Sequence, residues 1–138
     1  MITPSDPRVA VVGLGYVGLP LALAFSREFP CTGFDTDHRR IAELIAGHDR
    51  TGEVLPEELQ EITLVFSSDE QSLGACNTFV VSVPTPIDHN NVPDLRALIA
   101  ASDTAGRHLK RGDVVIFEST VYPGATEEIC VPALEQAS

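Results

Sequence analysis

The passage from Val9-Ala10-Val11-Val12 into Gly13-Leu14-Gly15-Tyr16-Val17-Gly18 constrains this chain more than any other stretch. An uncharged run that reads as a short buried strand enters G-x-G-x-x-G without a linker and continues into a helix-like pattern over Val17–Glu28. Each glycine has a separate task in that arrangement. Gly13 makes the tight turn, Gly15 lets a pyrophosphate approach the backbone, and Gly18 lets helix and strand pack closely. The first amides of the helix, at Tyr16 and Val17, then face the phosphates and carry the positive end of the helix dipole. A plainer alternative leaves the glycines to packing alone.

Net charge sharpens this reading. The 138 residues hold 9 Lys and Arg against 20 Asp and Glu, a formal charge of −11. Such a balance argues against a nucleic-acid-binding surface or an anionic membrane as partner. Any phosphate has to be held locally, by backbone amides. The uncharged run Val9–Ser26 superficially resembles a secretion signal, but Asp6 precedes it and Gly13, Gly15, Gly18 and Pro20 interrupt it. A soluble, cytoplasmic protein is expected. Cys31, Cys76 and Cys130 are odd in number and widely spaced, which fits a reducing compartment better than a disulfide framework. His38, His48, His89 and His108 show no paired ligand spacing, so no metal site is expected.

Along the chain, strand-like runs at Val9–Val12, Thr32–Asp35, Thr63–Phe66, Thr78–Val83 and Val114–Glu118 alternate with helical stretches. The helices are expected at Val17–Glu28, Thr36–Gly47, a short turn or helix at Asp69–Leu73, Asp94–Leu109 started by Pro93 and Asp94, and Ala125–Gln136, which Pro132 should kink or end. Thr51–Gln60 reads as a surface loop with a short helix from Pro56, and the prolines of Pro84–Pro93 make that stretch a structured connection. This alternation predicts an α/β fold, a Rossmann-type doubly wound parallel sheet of five strands filling one domain, residues 1–138.

Ligands of such sheets lie beyond the carboxyl ends of the strands. Asp35 ends the second strand, where an acidic side chain accepts hydrogen bonds from the adenosine ribose and repels a 2′-phosphate, favouring NAD over NADP. Arg40 is a candidate partner for the adenosine end, although Arg39 and Arg40 together leave NADP open. If the glycines serve packing only, Asp35 is left to cap the following helix. Val83-Pro84-Thr85-Pro86 and Glu118-Ser119-Thr120 also follow strands, and Thr85 and Thr120 offer groups to the nicotinamide end.

The runs Val11-Val-Gly-Leu-Gly-Tyr-Val-Gly-Leu-Pro-Leu-Ala22, Gly33-Phe-Asp35, Ser82-Val-Pro-Thr-Pro86 and Glu118-Ser-Thr-Val-Tyr-Pro-Gly-Ala-Thr-Glu127, in this order, resemble the N-terminal domain of the UDP-glucose/GDP-mannose dehydrogenase family. The resemblance covers essentially the whole chain. It implies NAD as cofactor and a four-electron oxidation, in two steps, of the C6 alcohol of a UDP-sugar to the uronate for polysaccharide biosynthesis. The Glu118-to-Gly124 wording is similar to the branch acting on UDP-N-acetylhexosamines. Matched position by position, Tyr16, Val17, Asp35, Arg40, Thr85 and Thr120 correspond to the family's NAD contacts, with Pro84 and Ser119 beside them and an assisting catalytic role for Thr120.

The family's catalytic cysteine, which forms a thiohemiacetal and then a thioester, has no match here, since all three cysteines read as packing residues. The chain is therefore expected to be part of a longer enzyme that binds its UDP-sugar through a later domain and forms a homo-oligomer, the part alone binding NAD without turnover. Two other readings stay open: the cofactor domain of a 3-hydroxyacid or 6-phosphogluconate type dehydrogenase, and a non-enzymatic module that senses NAD or holds an adenosyl ligand. The Pro-Thr-Pro and Glu118-to-Gly124 stretches speak against the former and Gly18 against the adenosyl form of the latter.

Overall fold

The short apolar runs become five strands, β1 (Val9–Val12), β2 (Cys31–Phe34), β3 (Val65–Ser67), β4 (Thr78–Val81) and β5 (Val114–Phe117). Between and after them lie α1 (Gly18–Ser26), α2 (His38–Ile45), α3 (Pro56–Gln60), a 3₁₀ helix (Glu70–Ala75), α4 (Arg96–His108) and α5 (Val131–Ala137). The structure is a computed structural model, described here for residues 6–60, 64–83, 89–90, 94–118 and 131–137.

The sheet order is β3-β2-β1-β4-β5 and every pair is parallel. The chain steps outward from β1 to β2 and β3, then returns to lay β4 against the free side of β1. That reversal creates a crevice beyond the carboxyl ends of β1 and β4, where open α/β sheets bind ligands. Register fixes what borders it. Val12 lies opposite Phe34 on one side and Val81 on the other, so the next residues, Gly13, Asp35 and Ser82, start from one level.

Alternation along β1 builds both cores, because successive side chains of a strand point to opposite faces. Val9 and Val11 join Leu14, Leu19, Leu23, Ile41 and Leu44 in one cluster; Ala10 and Val12 join Phe34, Leu73, Phe79, Leu98 and Ala105 in the other. All four β1 residues are buried, whereas β3 and β5 at the sheet edges are partly open.

The helix boundaries differ from the sequence pattern for identifiable reasons. Pro20 falls in the first turn of α1, where an N–H is not needed. Pro132 lies within α5; the expected part from Ala125 to residue 130 lies outside the described residues. In α4 the first helical residue is Arg96, with Asp94 accepting from its N–H at 3.0 Å; Pro93 lies outside the described residues. In α2 the start is set by Asp37, whose carboxylate accepts from the N–H groups of Arg39 and Arg40.

Candidate functional site

At the end of β1 the chain turns through Gly13, whose φ of 101° is a left-handed conformation that side chains resist. Its N–H donates to the Phe34 carbonyl at 2.8 Å, and a Cβ there would strike the Ser82 carbonyl oxygen and Val83. A Cβ on Gly18 would overlap the Gly13 carbonyl oxygen. These two glycines therefore serve the turn and the close approach of α1. Gly15 is different. A Cβ on it would meet no protein atom within 4 Å, so the fold has no packing need for a glycine there, while a ligand approaching the backbone does.

The donors at this point are arranged to match. Among the described residues, the N–H groups of Gly15, Tyr16, Val17 and Gly18 have no acceptor within the protein, although Leu19 N–H already reaches the Gly15 carbonyl at 3.2 Å. Val17, the N-cap of α1, has no side-chain oxygen with which to satisfy them. Tyr16 and Val17 are more than half exposed. Four unsatisfied amides beside an open glycine at the positive end of a helix suit a diphosphate and require no basic side chain.

Asp35 directly follows β2 instead of closing it. Its Oδ2 accepts from the Leu14 N–H and its Oδ1 from the Asp37 N–H, each at 3.0 Å. The cap of α2 is Asp37, so Asp35 is not the helix cap that the packing-only reading required. A carboxylate has about four acceptor positions, and the two backbone contacts aim Asp35 while leaving capacity for ribose hydroxyls.

Arg40 occupies a position that sequence alone does not reveal. Only 5% of its surface is exposed. Its Nε donates to the Leu14 carbonyl and its Nη1 to Asp49 Oδ1, both at 2.8 Å, while Nη2 is buried without a protein partner. The backbone of Leu14 is thereby held on both sides, its N–H by Asp35 and its carbonyl by Arg40. Arg39, by contrast, is exposed.

Asp49 is the residue the sequence reading missed. Its side chain is fully buried and accepts from Arg40, from the Thr51 N–H and hydroxyl, and from the Val54 N–H at 2.7–3.0 Å. Burial alone would raise its pKa, but the hydrogen bonds from the Thr51 hydroxyl, Arg40 and the two amides outweigh that and bring it from the ordinary 3.8 down to about 2. The Asp-x-Thr pattern signals a local turn; nothing in the sequence signals the reach back to Arg40.

Pro84, Thr85, Ser119 and Thr120 lie outside the described residues. The described chain runs up to both stretches: Ser82 N–H pairs with the Val12 carbonyl at 2.8 Å and Glu118 N–H with the Val81 carbonyl at 2.9 Å. Cys31 and Cys76 are buried. Burial, with a contribution from Cys76, pushes the Cys31 thiol up to about 12, so at neutral pH it is a packing group and not a nucleophile. Among the described residues no helix is long and apolar enough to cross a membrane, and no cluster of three or more His, Cys, Asp or Glu is placed to hold a metal ion.

Residues 7–138 match the NAD binding domain of the UDP-glucose/GDP-mannose dehydrogenase family. A UDP-N-acetyl-D-glucosamine 6-dehydrogenase of Pseudomonas aeruginosa is 57% identical over 135 residues, an alignment covering 97% of this chain and 32% of the relative. Protein CapL of Staphylococcus aureus is 47% identical, with 95% of this chain and 31% of CapL covered. Among solved structures, UDP-D-ManNAc dehydrogenase from Pyrococcus horikoshii superposes with a TM-score of 0.85 at 34% identity, covering 94% of this chain and 32% of that one. The chain belongs to the UDP-glucose/GDP-mannose dehydrogenase family, and its cofactor is NAD. It spans about a third of the length of the curated relatives it matches.

Proposed function

We propose that Gly13, Gly15, Tyr16, Val17, Gly18, Asp35 and Arg40, joined by Pro84, Thr85, Ser119 and Thr120 beyond β4 and β5, hold NAD for a nucleotide-sugar 6-dehydrogenase. The observation that carries this reading is the set of unpartnered amides from Gly15 to Gly18 beside an open Gly15. These amides take the diphosphate; Asp35 accepts from the adenosine ribose hydroxyls and repels a 2′-phosphate; Arg40 supports the adenosine end. NAD bound here supplies the hydride acceptor for oxidation at the sugar C6, and Thr120 assists at the reacting end.

The substrate in this reading is a UDP-sugar, a UDP-N-acetylhexosamine or UDP-glucose, oxidised in two steps to the uronate for polysaccharide biosynthesis. The 57% identity to the UDP-N-acetyl-D-glucosamine enzyme supports the first of these. Sugar binding and the cysteine nucleophile fall to a part of the enzyme beyond these residues, and the whole works as a cytoplasmic homo-oligomer. Calorimetric titration of the chain with NAD, NADP and S-adenosylmethionine tests the cofactor assignment: NAD binds preferentially, and a preference for either other ligand defeats the reading. Asp35→Ala is expected to weaken NAD binding by about 1–3 kcal/mol, the loss of ribose hydrogen bonds to a charged acceptor. An unchanged affinity removes Asp35 from the site.

A further inference from the structure

We propose that Asp49 is a positioning residue that sets cofactor choice through Arg40, holding the guanidinium against the glycine turn and withholding it from the 2′ position of the adenosine ribose. The inference rests on the site assignment above. Asp49 would touch neither cofactor nor substrate.

Three observations converge on it. First, the guanidinium is used as a two-sided brace. Nε holds the Leu14 carbonyl while Nη1 is anchored on Asp49, and the arginine side chain is 6% exposed. Second, the anchor is itself built to stay put. Thr51 and Val54 supply three further donors to the two Asp49 oxygens, so the carboxylate has no freedom to release Arg40 without losing several bonds. Third, the pairing cancels the arginine charge in a place where water does not screen it. An unpaired arginine next to the ribose site is what a 2′-phosphate requires, since guanidinium groups pair with phosphates through charge-assisted bonds. Asp35 thus repels the 2′-phosphate from in front, and Asp49 removes the cation that would offset that repulsion.

A buried carboxylate that served folding alone would affect NAD and NADP equally when altered. The ratio of the two affinities therefore separates the roles. Asp49→Asn keeps the size of the side chain and an oxygen acceptor while deleting the charge. In a folded Asp49→Asn chain, verified by circular dichroism, the NAD-to-NADP affinity ratio measured by calorimetry is expected to fall by about tenfold or more, the scale of one charge-assisted hydrogen bond. Adding Arg40→Met should abolish the gain toward NADP, whereas adding Arg39→Ala should leave it in place. Thr51→Val, which removes the hydroxyl bonded to both Asp49 oxygens and leaves the ion pair, should move the ratio the same way by about threefold, a fraction of one hydrogen bond. It serves as the deciding variant if Asp49→Asn does not fold. A wild-type ratio in folded Asp49→Asn, or in Thr51→Val where that variant decides, overturns the proposal. So does a shift that survives Arg40→Met. A wild-type chain that binds NAD while Asp35→Ala binds it equally well overturns the underlying site assignment instead, which keeps the two failures apart.

Discussion

Asp35 directly, and Asp49 through Arg40, act on the two sides of one residue, Leu14, and they do so in opposite environments. Asp35 stands half-buried at the end of β2, bonded to two backbone N–H groups and open on its remaining side. Asp49 lies in the loop after α2 with its side chain fully buried and its oxygens occupied by Arg40, Thr51 and Val54. One carboxylate is aimed and left with spare capacity, which suits a ligand contact. The other is saturated, which suits a fixed support. Acidic residues of one type thus divide into a contact and a brace according to how many of their acceptor positions the protein itself fills.

The contrast can be broken most severely at Asp49. Asp49→Ala leaves Arg40 charged and buried with no carboxylate partner, and removing one member of a buried pair costs about 3–5 kcal/mol. Urea denaturation should show a loss of that size, and a loss below about 1 kcal/mol, the value of an exposed ion pair, would mean that the pair is not buried in solution. The part that depends on ionisation, on the order of 2 kcal/mol, has a defined pH window. With a folded pKa of about 2 against an ordinary 3.8, the unfolded chain takes up the proton first as pH falls. The contribution is therefore complete above about pH 5 and lost as pH falls through about 2. Midpoints from acid titration of the wild type should decline faster across that window than those of Asp49→Asn, and parallel curves would contradict the assignment.

Asp35→Ala sharpens the comparison from the other side. It should cost about 1–3 kcal/mol of folding stability, because the N–H of the fully buried Leu14 loses its acceptor, while weakening NAD binding as stated above. A drop in denaturation midpoint as large as that of Asp49→Ala would place Asp35 among the braces. The smallest effect is expected at Glu70, which pairs with Arg107 at 2.7 Å on the surface, both side chains about a third or more exposed. Glu70→Gln should change stability by less than about 1 kcal/mol, and that change should shrink in high salt.

The sheet and the glycine turn were legible because they depend on local patterns. β1 shows itself as an apolar run, and Gly13 and Gly18 lie at offsets fixed by backbone geometry. Asp35 was legible for the same reason, since its place is counted from the turn along a strand. The Arg40–Asp49 pair was not, because a buried ion pair is a matter of which loop folds over which helix, and no spacing rule records it. Thr51–Gln60 reads as a surface loop with a short helix from Pro56, which the structure has, but nothing in that reading marks Thr51 as a donor to the Asp49 carboxylate.

The burial of β1 between β2 and β4 has a consequence for motion. In hydrogen-exchange terms, its amides belong to the most protected unit of a sheet, the one that opens only with the whole molecule. The glycine turn leaves that strand without an intervening residue, and its first amide, Gly13, is bonded to the neighbouring strand at Phe34. Deuterium uptake should therefore be slow up to Gly13 and rapid at Gly15, Tyr16 and Val17, a step across two residues that cofactor binding would flatten.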